Sequence, residues 1–388
     1  MTFLLLQMVF WLCAICFSAT WCLYPVAMIS FAIFWARANG GSRKPCPTVT
    51  NPKVSVILPV YNGEGKILGK LKNLLSLDYP KELLEIIVVS DGSTDRTMEI
   101  VSEVKDSRVR ALALPTNVGK SMAQNAGVLQ AVNEILFFTD LDSSIDPTAL
   151  EKIVPHFFDS KVGCVGVNVI FRKPSWDTSG SQGTYGRFEN LIRVAESRFG
   201  VLASLFGSAF AVRKAVFKPL DPDTGDDFII PLDLALQGYR TVFEPGAIVY
   251  DDWSAKSYQS ELNVRRRITL RNFTGLLRRK SLLNPRKFPK MAISLMLHKV
   301  LRWLSPVLLI VLMLSSIALR NEAPVYTAAF LLQILAYLGA LAGGISVMCR
   351  KPLPVASTLG SFVVANAGIL MGLFSLVKGQ RIRGYQNL

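Results

Sequence analysis

A predominantly apolar, uncharged run extends from Thr2 to Ala36, and no charged side chain occurs before Arg37. That length exceeds the roughly 20 residues needed to cross a bilayer core, so the pattern predicts a membrane anchor over residues 1–37, bent or tilted near Pro25. Three more uncharged runs, Trp303 to Leu319, Ala323 to Cys349 and Pro352 to Val377, predict a C-terminal transmembrane region of about three spans over residues 303–378. Between the anchors the pattern changes. After a linker at 38–52, ANGGSRKPCPTVTNP, the continuous β-branched run VSVILPV reads as a strand buried on both faces, and GKILGKLKNLLSL has helical periodicity. The alternation repeats through LEIIVVSDGS, STDRTMEIVSEVK, VRALAL, KSMAQNAGVLQAV and EILFFTDLD. Strands alternating with helices predict a parallel sheet with right-handed crossovers, and hence an α/β domain over residues 53–280. Residues 281–302 place apolar side chains at helical spacing among Lys and Arg, which predicts an amphipathic interfacial helix, and residues 379–388 form a basic tail.

Composition agrees with a part-membrane, part-soluble chain, with 51% hydrophobic and 18% charged residues among 388. The start lacks the basic residues of a secretory signal, so the first run reads as an uncleaved anchor. Arg37, Arg43 and Lys44 follow it and place that flank in the cytosol, with the N-terminus outside and a cytosolic soluble domain in a multi-pass protein of the cell (inner or plasma) membrane. Four spans would put the C-terminus outside, whereas the tail KGQRIRGYQNL favours the cytosol, so the number of spans stays open. The formal charge of +15 is concentrated beside the spans, in NPRKFPK and LRRK, which points to anionic lipid headgroups and away from nucleic acid. Of six cysteines, Cys13, Cys16 and Cys22 lie in the first run, and with two histidines in the chain no zinc site is expected.

In an open α/β sheet, ligands bind beyond the carboxyl ends of the strands. Three predicted strands end there in polar residues: Tyr61, Asn62 and Glu64; Asp91 and Asp95; Asp140 and Asp142. For Ser93, Thr94 and Asp95, turn formation and helix capping explain the sequence as well as ligand binding does. Asp140 and Asp142 are different, because residues i and i+2 of a strand share a face and their charges repel. A hard divalent cation, Mg²⁺ or Mn²⁺, satisfies such a pair and normally shares its shell with phosphate oxygens, which implies a nucleotide diphosphate. Lys120, in TNVGK, is placed to meet phosphate or base.

From Val54 to about Leu277 these residues resemble the membrane-bound members of glycosyltransferase family two, whose nucleotide-sugar domain has the GT-A fold and which include cellulose, hyaluronan and poly-N-acetylglucosamine synthases. The resemblance implies that Tyr61 and Glu64 lie near base and ribose, that Asp91 binds the nucleoside and that Lys120 lies near the nucleotide. It makes Asp142 the direct metal ligand and Asp140 the residue that meets sugar or ribose and supports the metal. Within DTGDDFIIPLDLALQGYR, counting back eleven residues from Gly238 reaches Asp227 as the implied catalytic base, with Asp226 as the alternative. Either aspartate could instead cap the following helix. LFGSAF resembles the acceptor-lining stretch of processive synthases, with Gly207 and Ser208 retained and Phe206 in place of cysteine. In VRRRITLRN, Arg267 keeps the family's diphosphate-binding arginine, while Val264 and Ile268 replace the usual glutamine and tryptophan. Arg265, Arg266 and Arg271 fit either diphosphate or a membrane-surface patch.

The implied activity is inverting transfer of a sugar from a nucleotide-diphosphate sugar, with UDP-sugar as the expected donor, to a lipid-linked or polysaccharide acceptor in cell-surface glycan synthesis. Two rivals are a processive synthase that exports its product and a non-catalytic nucleotide-binding membrane component. Loss of the stacking tryptophan and the absence of strongly polar residues in the spans weigh against a channel in one protomer, although a homo-oligomer or a glycan-assembly partner could complete one.

Overall fold

The computed structural model describes residues 2–38, 51–171, 179–251, 258–349 and 353–382. Linker residues 39–50, which include Arg43 and Lys44, and tail residues 383–388 lie outside them. In chain order the elements are α1 (Thr2–Ser18), α2 (Tyr24–Ala38), β1 (Val54–Val60), α3 (Ile67–Leu75), β2 (Leu84–Asp91), α4 (Thr97–Glu103), β3 (Val109–Leu114), α5 (Lys120–Gln130), β4 (Ile135–Thr139), β5 (Ser144–Ile145) and α6 (Ala149–Ile153). There follow β6 (Val162–Phe171), α7 (Ser179–Phe199), β7 (Ala209–Arg213), α8 (Asp226–Leu236), β8 (Arg240–Asp251), α9 (Tyr258–Arg278), α10 (Pro289–Ser294), α11 (Leu301–Leu319), α12 (Pro324–Met348) and α13 (Pro354–Val377).

The eight strands form one sheet in the order β3-β2-β1-β4-β7-β6-β8-β5. The expected parallel arrangement holds for β3, β2, β1 and β4. Beyond β4 the sheet is mixed: β7 runs antiparallel to both β4 and β6, while β6 and β8 are parallel. The antiparallel turn has a consequence for function. It brings the segment before β7, with Gly207 and Ser208, beside the end of β4, where Asp140 and Asp142 leave the sheet.

Alternate residues of the apolar strands point to opposite faces, and both faces are covered. Val54, Val56, Leu58 and Val60 pack with Ile67, Leu71 and Leu74 of α3 and with α6. Ile57, Leu136, Phe138 and Phe210 pack with α5 and α8 on the other side. Burial on both faces is why these strands read as continuous apolar runs.

Among the described residues, four helical stretches are long and apolar enough to cross a membrane: Phe3–Trp35, Pro289–Leu319, Pro324–Val347 and Pro354–Val377. A π-turn at Ala19–Leu23 marks the irregularity expected near Pro25, whose missing N–H breaks the regular ladder. Residues 289–302 do not form a separate interfacial helix. They continue through a second π-turn, Leu295–Val300, into α11. His298 and Arg302 face inward: His298 Nδ1 lies 2.5 Å from Glu196 on α7, and Arg302 pairs with Glu189 of the same helix. Tyr24 of α2 donates to Glu196 at 2.7 Å, so α7 is clamped between the N-terminal and C-terminal membrane helices. Burial alone would raise the Glu189 carboxyl, but Arg302 and His298 hold it well below its usual range. Nor are the arginines of LRRK lipid-facing: Arg278 grips Asp223 through two bonds of 2.7 and 2.8 Å, and Arg279 grips Asp233 through two of 2.6 Å.

Glycines bring helices into contact along this base. At Gly368 a side chain would meet Leu262 and Arg265 of α9, and at Gly343 it would run into the Ala356 carbonyl of α13. Gly343→Ala should therefore push α12 and α13 apart and cost about 1–3 kcal/mol of stability. A lowered thermal midpoint of the detergent-solubilised protein checks it.

Candidate active site

The loops after β1 and β2 are tied to one another. Asn62 adopts a left-handed conformation (φ 49°), which asparagine tolerates. It accepts from the Thr94 amide at 2.9 Å, and its own amide donates to Ser93 Oγ at 3.1 Å. The Glu64 amide donates to Asp95 at 3.0 Å, and the Glu64 carboxylate accepts from the Arg96 amide at 3.1 Å. Asp95 also accepts from the Thr97 amide at 3.0 Å, the capping role weighed for it. Buried Asp91 accepts from the Val118 and Gly119 amides at 2.7 and 2.9 Å, one bond per oxygen, and so anchors the loop that starts α5 at Lys120. The three predicted donor residues thus border one edge in different states. Tyr61 is exposed, while Glu64 and Asp91 already shape the loops and keep only their remaining lone pairs for a ligand.

At the end of β4 the chain makes the tight turn 139–143 around Asp140 and Asp142. The Asp140 amide donates to the Ser208 carbonyl at 3.0 Å, which fastens the turn to the segment before β7. Lys70 lies beneath the turn, 4% exposed. Its ammonium donates to Thr139 Oγ1 at 2.8 Å, to the Ser143 carbonyl at 2.7 Å and to Ser143 Oγ at 3.0 Å. Burial pulls its pKa down to about 7, against the pull of Asp140, Asp251 and Asp142. Above the turn, Asp140 meets Lys120 at 2.6 Å and Asp142 meets Lys66 at 2.5 Å. Burial pushes Asp140 up to about 6; Lys120 works against this, and Asp226 adds to it. Asp251, at the end of β8, accepts a short hydrogen bond from the Ser208 hydroxyl and completes the acidic rim. Asp146 bonds the Thr148 amide at 3.1 Å and serves the start of α6, apart from this group.

The second half of the site comes from α8. Gly225 precedes it, and Asp226 and Asp227 open its first turn, where negative charge complements the helix dipole. The two aspartates divide. Asp226 accepts from Gln124 at 2.7 Å and meets Lys120 at 3.2 Å. Despite burial, its carboxyl is lowered by Lys120, Gln124 and Arg271. Asp227 faces Gly207: a Cβ on that glycine would lie 3.9 Å from the Asp227 Cβ and Cγ. Burial first and Asp226 second push Asp227 up to about 6. Arg271 reaches in from α9, donating to Ser121 Oγ at 3.1 Å and to the Thr224 carbonyl. The arginines of the cluster separate by their contacts. Arg271 belongs to the site, Arg265 pairs with Glu261 at 2.7 Å, and Arg266 donates to Ser375 of α13 at 3.0 Å. Arg267 sits one turn before Arg271 on α9, the spacing that shares a helix face.

The donor set fits a divalent cation of a particular kind. No group of three or more His, Cys, Asp or Glu among the described residues forms an all-protein metal site. Asp140 and Asp142 offer hard oxygens, and Asp140, raised first by burial, is pushed up further by Asp226 and Asp251 against the pull of Lys120. Two carboxylates suffice for Mg²⁺ or Mn²⁺ that completes its shell with diphosphate oxygens.

Lys70, Gln124 and Asp251 escaped the sequence reading. Lys70 had a visible signal, since it occupies the i+3 position of an otherwise apolar stripe, Ile67, Leu71 and Leu74. Asp251 ends a strand, as Asp140 and Asp142 do, but its neighbours in the sheet were not foreseeable.

A mixed sheet with a metal-competent carboxylate turn at its β4 edge and α8 opposite defines the GT-A class of nucleotide-sugar domains. The mannosyltransferase PcManGT from Pyrobaculum calidifontis, solved with GDP-Man and Mn²⁺, superposes with a TM-score of 0.64 at 22% identity, over 93% of this chain and 98% of that one. Residues 55–220 match the family model Glycosyl transferase family 2, and the chain carries a domain of that family. Among its relatives, an N-acetylglucosaminyltransferase of Rhizobium meliloti (strain 1021) is 30% identical over 243 residues, covering 57% of this chain and 56% of that protein. A poly-beta-1,6-N-acetyl-D-glucosamine synthase of Staphylococcus epidermidis is 30% identical over 204 residues, 51% of this chain and 49% of the synthase. The chain thus spans about half the length of the curated relatives it matches.

The opposite shifts of the paired aspartates predict opposite stability effects. A lowered carboxyl stabilises the fold above its unfolded pKa, whereas a raised one costs stability once pH exceeds that value. At pH 7.5, Asp226→Asn should lose about 1–3 kcal/mol, while Asp227→Asn should leave stability unchanged or higher. Thermal unfolding of the two variants checks the sign.

Proposed function

We propose that this protein is a membrane-bound inverting glycosyltransferase that moves a sugar from a nucleotide-diphosphate sugar, with UDP-sugar as the expected donor, to a lipid-linked or polysaccharide acceptor in cell-surface glycan synthesis. The observation that carries this reading is the placement of Asp227. It is a carboxylate with a pKa pushed up toward neutrality, aimed at a glycine with open backbone and close to the carboxylate turn of β4. Such a group is matched to general-base work near pH 7. Asp226 is committed to Lys120 and Gln124, which supports Asp227 as the base of the pair.

The acceptor approaches over Gly207 and Ser208. Asp227 takes the proton of its hydroxyl, the acceptor oxygen bonds to the anomeric carbon, and the bond from that carbon to the diphosphate oxygen breaks in the same displacement. Configuration inverts, and no covalent enzyme intermediate is needed. Mg²⁺ or Mn²⁺ held by Asp142 and Asp140 supplies charge compensation for the departing diphosphate. Arg267 and Arg271 lie on the helix that faces the same group. Tyr61, with the loops that Glu64 and Asp91 hold, borders the nucleoside. The catalytic domain sits on the cytosolic face of the cell membrane, and the clamp on α7 keeps its active site close to the lipid surface.

A second reading, the processive synthase, gains from one feature. Gln333 on α12, and Ser357 and Asn366 on α13, are buried, and each keeps a side-chain polar atom without a hydrogen-bond partner. The spans therefore do hold polar residues, against the expectation that they lack them, and such groups suit passage of a hydroxylated product. Product length separates the readings. One added sugar per acceptor is expected, and a ladder of polymer sizes from purified protein with one nucleotide sugar would replace the first reading with the second.

Transfer should rise with pH through about 6 as Asp227 loses its proton, and level off above. Asp227→Asn should lower it by about 10²-fold or more and abolish that limb of the profile. Activity of the Asn variant equal to wild type in a membrane assay would remove Asp227 from the chemistry.

A further inference from the structure

Burying an ammonium costs several kcal/mol, and a methionine or leucine would fill the Lys70 position of the apolar stripe. Lys70 forms no ion pair with any described residue. Its three protons go to Thr139 and Ser143, the two ends of the carboxylate turn. Its charge therefore acts on the turn as a whole, where Asp140, Asp142 and Asp251 surround it. The outer side of the turn is also held by lysines: Lys66 on Asp142 at 2.5 Å, and Lys120 on Asp140 at 2.6 Å and on Asp226 at 3.2 Å.

We propose that Lys66, Lys70 and Lys120 are resident counter-ions of the carboxylate turn, which keep it closed to a bare divalent cation and make cation and nucleotide diphosphate bind as a pair. The inference deepens the metal-dependent transfer proposed above and rests on it. The charge balance carries the argument. Five carboxylates, Asp140, Asp142, Asp226, Asp227 and Asp251, face four cations, the three lysines and Arg271. A divalent cation alone turns that small negative balance positive and must also displace Lys66 and Lys120 from their partners. Arriving with a doubly charged diphosphate ester, the same cation leaves the balance unchanged, and the released ammonium groups gain phosphate oxygens as partners. Lys70 cannot be displaced, because it lies behind the turn, so its repulsion of a bare cation persists.

The test is Mn²⁺ binding itself, read from the electron paramagnetic resonance signal of free Mn²⁺. It uses the full chain in detergent at pH 6.5, with and without UDP or GDP. Wild type should bind Mn²⁺ at least about tenfold more tightly with a nucleoside diphosphate than alone. Lys66→Gln, at a surface position where folding is not at stake, should tighten bare Mn²⁺ about two- to fivefold, the size of an exposed ion pair. Lys70→Met should tighten it about tenfold, because a charge acting through protein is screened less, and should narrow the gain from the diphosphate. A merely structural Lys70 predicts the opposite sign, weaker Mn²⁺ binding as the turn loosens. If both variants bind bare Mn²⁺ no more tightly than wild type while binding with the diphosphate persists, the counter-ion role is wrong and the transferase reading stands. If wild type binds no Mn²⁺ even with UDP or GDP, both fall.

Discussion

Lys120 is the point at which the two halves of the site meet. Its ammonium lies between Asp140, which ends the parallel half of the sheet, and Asp226, which opens α8, and it approaches the Gly207 carbonyl at 3.5 Å. Asp140 and Asp226 are like charges close enough for Asp226 to push Asp140 up, and the cation they share works against that repulsion in a partly dry cleft. The position of Lys120 is itself fixed by Asp91, whose two oxygens hold the preceding loop by its amides. A chain of fixed charges thus runs from the core of β2 to the first turn of α8.

A second set of ion pairs joins this domain to its membrane base. Glu189 and Glu196 of α7 receive Arg302 and His298 from the stretch that leads into α11, while Tyr24 of α2 binds the same Glu196. Arg278 and Arg279 brace the 221–233 region that carries Asp226 and Asp227. Removing one partner from such a buried pair strands a charge, so these contacts specify how the catalytic unit sits on its helices. Arg193 of α7 extends the connection by lying 3.8 Å over the ring of Phe206, next to Gly207. The Gly207 side of the site is therefore in contact with the helix that the membrane segments hold.

The strand-helix alternation was legible because each early element carries its own signal: apolar runs for β1, β2 and β4, and helical spacing for α3 and α5. The carboxylates of the β4 turn and Lys120 could be picked out because polar groups at strand and helix ends are few and stand against apolar surroundings, whereas the pair that opens α8 was reached only through the resemblance to glycosyltransferase family two. Lys70 was passed over because one basic residue in a helix reads as solvated surface until the helix is known to lie under a turn. Arg278, Arg279 and Arg302 were placed at the lipid surface for the same reason. Sequence shows their charge, whereas the acidic partners lie many residues away, on α7 and in the 221–233 region.

Local composition and periodicity by themselves determined the apolar spans, the buried strands and the turn with Asp140 and Asp142, because each depends on neighbours within a few residues; between Asp226 and Asp227 the sequence left both open. Tertiary structure decided that β7 enters antiparallel beside β4, that Gly207 faces Asp227, that Asp226 is spent on Lys120 and Gln124, and that Lys70 is a buried charge. Those outcomes depend on side chains brought together from separate elements, and on burial, which raises one aspartate and leaves its neighbour lowered. No spacing along the chain encodes that difference. It arises only when α5, α8 and α9 close around the pair.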